Sequence, residues 1–277
     1  EPQPPVHIRH SGCTLALRAM RFLIRPVTTA AAAVNANLGG NIRFRFILGR
    51  REITRDFVPA WLCGPQLDQD QEVMNTGQAF ETGTRENCYN IFRWLLPKPI
   101  LVPPGDTLLA SVFRANQSLT SVNAVNVGLS YAGRSLPAGA QLPERVPLPY
   151  VTAYVGDRAT TADAAQISNG IAFENPFTTP LHVQRFAGRI DWTDGSNQLA
   201  ETSGTGLSTL LCQMSHSEGW DVTAEPTPFH ALFEYGRRAW TVGHVLGPRE
   251  RFTLRLSGIS NTEMPMVSMI GHRMEQV

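Results

Sequence analysis

Lysine is nearly missing from this chain: of its 24 Lys+Arg residues only Lys98 is a lysine. The acids number 23, leaving a formal net charge of +1 over 277 residues. A chain this balanced lacks the basic excess that holds a nucleic-acid backbone, so sequence-specific nucleic-acid binding is not expected. Charged residues make up only 17%, too few for a self-repelling disordered chain. No run of 18 or more apolar residues occurs, which excludes a membrane-spanning helix. The four cysteines, Cys13, Cys63, Cys88 and Cys212, form no CxxC and no regular spacing, so neither a disulfide framework nor a zinc knuckle is expected. The N-terminal segment has no basic start and no apolar stretch of the secretory type.

Catalytic patterns are missing too. There is no Gly-x-Ser-x-Gly elbow, phosphate loop or dinucleotide glycine pattern. The seven histidines, His7, His10, His182, His216, His230, His244 and His272, show no HxH or HExxH spacing, and His244 and His272 read as polar strand positions. The acids Asp68, Asp70 and Glu72 lack the turn glycine of a calcium loop. The expectation is therefore no catalytic residue, no metal and no cofactor, and a protein that works through its surfaces.

What is present is apolar material, at 42%, broken into short runs by 20 prolines and 23 glycines. Ile42, Phe44 and Phe46 alternate with Arg43 and Arg45, a strand pattern of period two. Val125, Val127, Leu129 and Tyr131 alternate likewise. Pro103-Pro104-Gly105-Asp106 and Gly247-Pro248-Arg249-Glu250 are turn signals, each ahead of another alternating run. Leu15, Leu17, Met20, Phe22 and Ile24 suggest a strand pair, and 229–235 and 239–246 suggest two strands. Runs this short between Pro/Gly/Asn/Asp turns point to an all-β sandwich or barrel rather than a βαβ fold. The arginine bias suits part-buried contacts to carboxylates and carbonyls, which a planar fork holds better than an ammonium. The alternative reading is a GC-rich genome, which would favour arginine codons and give the same bias.

Four local likenesses recur in chain order at offsets of about 139 to 150 residues, the signature of a duplicated unit. They relate Arg45–Arg50 to Arg185–Arg189, Leu62-Cys63 to Leu211-Cys212, Trp94 with Pro104 to Trp240 with Pro248, and Val127–Arg134 to Val267–Arg273. The expected organisation is an extended arm over 1–12, a first β-sandwich over 13–135, a Pro-rich linker over 136–149 and a second β-sandwich over 150–277. The arm, with Pro2, Pro4, Pro5 and His7, is read as an assembly element, free or laid on a neighbour. Trp192 and Trp220 lie beside acid-containing loops (DWTDG and EGWDV). With Asp194 they form the expected exposed recognition surface, whose ligand would be a glycan or host receptor.

Two sandwich-like halves, a Pro-rich N-terminal arm and the turn–strand pairs LVPPGDTLLASVF with VNVGLSYAGR and VLGPRERFTLRL with VSMIGHR resemble jelly-roll virion structural proteins of bacterial viruses. The likeness is to the double jelly-roll capsid protein of tailless, membrane-containing phages, and to head-decoration, collar and tail proteins. It implies a non-enzymatic subunit, made in the host cytoplasm and carried in the virion. Its partners would be copies of itself, as a trimer or larger assembly, and other virion proteins. The alternatives are a carbohydrate- or receptor-binding phage adhesin or tail module, and an enzyme on a duplicated β-barrel scaffold.

Overall fold

A computed structural model describes residues 5–27, 42–59, 90–114, 124–156, 170–193, 199–200, 210–233, 240–258 and 263–276. In its first half the strands are β1 (Val6–Ile8), β2 (Leu15–Val27), β3 (Ile42–Leu48), β4 (Arg51–Glu52), β5 (Thr54–Arg55), β6 (Val58–Pro59), β7 (Asn90–Val102), β8 (Leu108–Arg114) and β9 (Ala124–Ser135). The second half has β10 (Arg145–Val155), β11 (Ile171–Glu174), β12 (Leu181–Thr193), β13 (Leu199–Ala200), β14 (Leu211–His216) and β15 (Thr227–Pro228). The helix α1 (Phe229–Phe233) and strands β16 (Trp240–Leu246), β17 (Arg251–Ser257) and β18 (Glu263–Gln276) complete it. The described chain is all-β apart from this helix, and its strand pairs are antiparallel except β5 beside β10.

Among the described residues the second half forms an eight-stranded roll with the two-residue β13 added. One sheet runs β10-β18-β12-β16 and the facing sheet β11-β17-β14-β15. Taking these strands in chain order as first to eighth, the orders are first-eighth-third-sixth and second-seventh-fourth-fifth. That is the double Greek key of a jelly roll. The first half closes the same way at its outer pairs: β2 with β9, and β3 with β8. It differs at β7, which pairs directly with β2.

The two halves share one sheet. From β10, β12 and β18, Val151, Ala187, Met266 and Ile270 enter the core of the first half, with Phe44, Phe46, Trp94 and Ile100. Tyr150, Phe186, Val267 and Met269, on the opposite face, enter the second core with Phe173, Met214 and Phe252. Burial on both faces explains why residues 265–271 are buried without alternation. β5 extends the shared sheet from the first half, and the Ile53 carbonyl accepts the Val151 N–H at 2.8 Å.

Arginine forks fasten the junction. Arg273, 2% exposed, donates from Nη1 to the Glu52 carbonyl at 3.0 Å and from Nε to Glu275. Its guanidinium lies 3.8 Å from the Phe177 ring centroid. Arg51 bonds Asp106 at 2.8 Å and the Gln276 carbonyl at 3.2 Å. These contacts match the role that the near-exclusive use of arginine suggests.

Three sequence readings change here. Residues 15–27 are one bulged strand, not a strand pair. The register shifts between Leu17 and Ala19, which is why the apolar positions jump from odd numbers to even at Met20. Residues 229–233 are helix rather than strand. Four residues apart, Phe229 and Phe233 share one face, with ring centroids 4.6 Å apart. Gly188 leaves room for both rings. Arg145–Pro149, assigned above to a linker, open β10 and pair with Pro149's partner His272 through to Gln276. The alternation of Ile42–Leu48 and the turn at Gly105, with φ +84° and the Asp106 N–H bonded to the Pro103 carbonyl, are as the sequence suggests. The Ala-rich stretch 28–41, the loop 66–78 and the Leu62-Cys63 match lie outside the described residues.

Candidate functional site

Chemistry-bearing side chains gather at one end of the second roll. β14 alternates, placing Cys212, Met214 and His216 inward. A tight turn follows: the His216 N–H donates to the Trp220 carbonyl and the Gly219 N–H to the His216 carbonyl. Gly219 takes φ +87°, a conformation a Cβ would strain. The return lays the Trp220 indole on the His216 imidazole, with centroids 4.6 Å and planes 20° apart. From the facing sheet, His244 of β16 meets both rings edge-on, at 4.9 Å from His216 and 5.2 Å from Trp220. Phe252 of β17 closes the inner side.

Glu250 reaches the same point from the β16–β17 turn. Its Oε2 accepts the Gly247 N–H at 2.6 Å. The turn is anchored by Asn175, fully buried, whose Nδ2 donates to the carbonyls of Thr179, Leu246 and Gly247 while Oδ1 accepts the Phe177 N–H. The Arg249 N–H donates to the Asn175 carbonyl, and the Asn175 N–H to the Glu250 carbonyl.

The His216 side chain has no exposed surface. The Glu218 N–H donates to its Nδ1 at 3.2 Å, so the neutral ring carries its hydrogen on Nε2. Among the described residues Nε2 makes no hydrogen bond; Glu250 Oε2 stands 3.9 Å away. Burial first, then His244, holds the imidazole below its usual range, against the smaller opposing pull of Glu250 and Glu218. His216, His244 and Glu250 each offer a ligand atom, all within 4.8 Å of one another. Sequence reading missed this grouping because its members come from two facing sheets and a turn, with no spacing to betray them. Cys212, four residues before His216 on β14, is no nucleophile: burial pushes its thiol up to about 12.

Of the recognition residues expected above, Trp220 sits in this cluster, 37% exposed. Trp192 is near the far end of β12, opposite Ala200 and Glu263. His244 pairs with Val183 on the same strand, so Trp192 lies roughly 25–30 Å along it at a strand's usual rise. The structure does not bring the two tryptophans together, and Asp194 lies outside the described residues. In the arm, Pro2 and Pro4 are likewise outside, Pro5 is exposed, and His7 belongs to β1. β1 pairs with β8 of its own chain, with Ile8 buried in the first core.

No family model matches the sequence, and no curated protein matches it. Among solved structures the chain is similar to PBCV-1 VP54 as fitted into a cryo-EM reconstruction of the virophage Sputnik. That match has 9% identity and a TM-score of 0.49, over 99% of this chain and 93% of the other. It is also similar to a chain of a quasi-atomic model of the PBCV-1 virus capsid, at 9% identity and a TM-score of 0.47, over the same shares of the two chains.

Proposed function

We propose that this chain is a non-enzymatic structural subunit of a virus particle, that of a bacterial virus, which assembles with copies of itself. The observation that carries the reading is the doubly covered sheet. It fuses a jelly roll to a second β-sandwich as one block, with buried side chains from both halves on its two faces. Such a block offers rigid flanks and sheet edges for closed assembly. One edge suits it: β9 is twelve residues long with residues 130–135 exposed, including Tyr131 at 50%. It has no Pro, Lys or acid to blunt it, whereas the edge strand β7 carries Pro97-Lys98-Pro99. Among the described residues no strand pairs along the outer side of β9.

Jelly rolls also serve as lectins and metal-binding enzymes, so the discriminating measurement is assembly. Light scattering coupled to size exclusion on the whole chain is expected to show trimers or larger closed species that negative-stain micrographs resolve as particles or plates. A strict monomer at the highest attainable concentration overturns the reading. A glycan- or receptor-binding module is the second reading, favoured by the part-exposed Trp220 beside His216. Glycan-array binding that disappears in Trp220→Ala supports it, and a blank array removes it.

A further inference from the structure

His216 presents a buried Nε2 that has no hydrogen-bond partner among the described residues, with a carboxylate oxygen 3.9 Å away. That gap is too long for a hydrogen bond. Two ligand atoms on one tetrahedral ion, each about 2.0–2.1 Å from it, stand about 3.3–3.4 Å apart. The three candidate atoms, within 4.8 Å of one another, therefore need side-chain shifts of about 1 Å to close on a cation. The supports on either side are built: Glu250 is oriented by the Gly247 N–H and its turn by Asn175, and Trp220 and Phe252 wall the His216 ring.

We propose that His216, His244 and Glu250 bind one divalent transition cation of the zinc type, stapling the two sheets of the second roll at its mouth. Two imidazoles and a carboxylate suit zinc rather than calcium or magnesium, which take oxygen ligands. Three protein ligands leave one position for water. The Glu250 carboxylate offsets part of the ion's charge, and neutral imidazoles are the ligating form. Coordination at Nε2 moves the His216 hydrogen to Nδ1. There the exposed Glu218 carboxylate, now 3.8 Å away, must swing closer to accept it, and the Glu218 N–H gives up its bond to Nδ1. No net proton is released by that exchange. The site goes beyond the assembly reading and stands or falls independently of it.

The test uses the whole chain stripped with chelator, passed through a desalting column and titrated with zinc alone. Calorimetry and metal analysis are expected to show one zinc per chain and a raised melting temperature. His244→Gln, at a part-exposed position, and Glu250→Gln, whose amide oxygen still accepts the Gly247 N–H, are each expected to bind at least tenfold more weakly with unchanged circular dichroism. With Co2+ in place of zinc, the intense visible absorption of a low-coordinate site is expected in the wild type and lost in His244→Gln. Failure of the wild type to retain zinc overturns the proposal. So does zinc retained at full affinity by both variants, which would place it elsewhere, as at His10 and Cys13 (3.1 Å apart) or the stacked His182 and His272.

Discussion

Asn175 Nδ2 donates to the carbonyl of Leu246, 71 positions downstream, at 3.0 Å. The same amide serves Thr179 and Gly247. Asn175→Ala strips this side chain's bonds from the Thr179 and Leu246 carbonyls and the Phe177 N–H, while the Gly247 carbonyl keeps the Glu250 N–H, and each orphaned buried group costs about 1–3 kcal/mol. A loss of about 2–4 kcal/mol is expected in urea unfolding. Asn175→Asp, which sets an oxygen against those carbonyls, is expected to be at least as damaging.

Arg273 joins the halves through Glu52, Glu275 and the face of Phe177. A lysine cannot keep the fork and the ring contact together. Arg273→Lys keeps the charge but loses the fork's second bond, and is expected to lower stability by about 1.5–3 kcal/mol, the worth of a hydrogen bond from a charged group. Unfolding followed by tryptophan fluorescence measures it, and a loss under about 0.5 kcal/mol, ordinary for a surface site, contradicts the role.

Gly271 lies where a methyl group would overlap the His182 carbonyl oxygen, and Gly133 stands in the same relation to Ala16. Both face a partner strand at its bulge. Backbone has little room to retreat, so Gly271→Ala is expected to cost more than about 3 kcal/mol, at the severe end of single substitutions. At Gly188 the obstruction is the Phe229 and Phe233 rings of the short helix. Gly188→Ala is expected to cost about 1–3 kcal/mol, the usual price of overpacking. Melting temperatures of the two variants give the order.

His272 stacks on His182, with centroids 5.0 Å and planes 9° apart, and Gln184 Nε2 lies 3.3 Å from its Nδ1. Burial, then His182 and Lys98, holds His272 below its usual value. The unfolded chain therefore takes up this proton at a higher pH than the folded one. Stability is full above the ordinary histidine value of about 6.5, falls as pH drops below it, and levels off beneath the depressed folded value. His216 shifts in the same sense. Melting temperature measured from about pH 8 to about pH 5 is expected to decline less in His272→Gln than in the wild type.

The sheet-rich body is legible wherever one face of a strand meets water, as the alternation of Ile42–Leu48 shows. One internal likeness falls on corresponding elements: β9 and β18 each pair with the opening long strand of their half, β2 and β10. A second matches in part: β8 and β17 pair with β3 and β11, but β7 pairs with β2 whereas β16 pairs with β12. The likeness of Arg45 to Arg185 joins β3 to β12, which hold different places in their sheets. The doubly covered sheet is least legible in β18, where residues 265–271 are buried on both faces and no polar face marks their period. Arg145–Pro149 pass for a linker because Pro147 and Pro149 break the apolar run, although Val146 and Leu148 are buried in alternation. The His216, His244 and Glu250 grouping escapes for a related reason: only facing sheets bring it together.

The shared sheet also sets an order of biogenesis. The core of the first half includes Met266 and Ile270 from β18, so that half cannot close as the ribosome releases it. Its apolar face must wait, exposed, for more than a hundred further residues, counted from Ser135 to Met266. Nascent chains are thus most vulnerable to aggregation midway through synthesis, when a chaperone has most to protect.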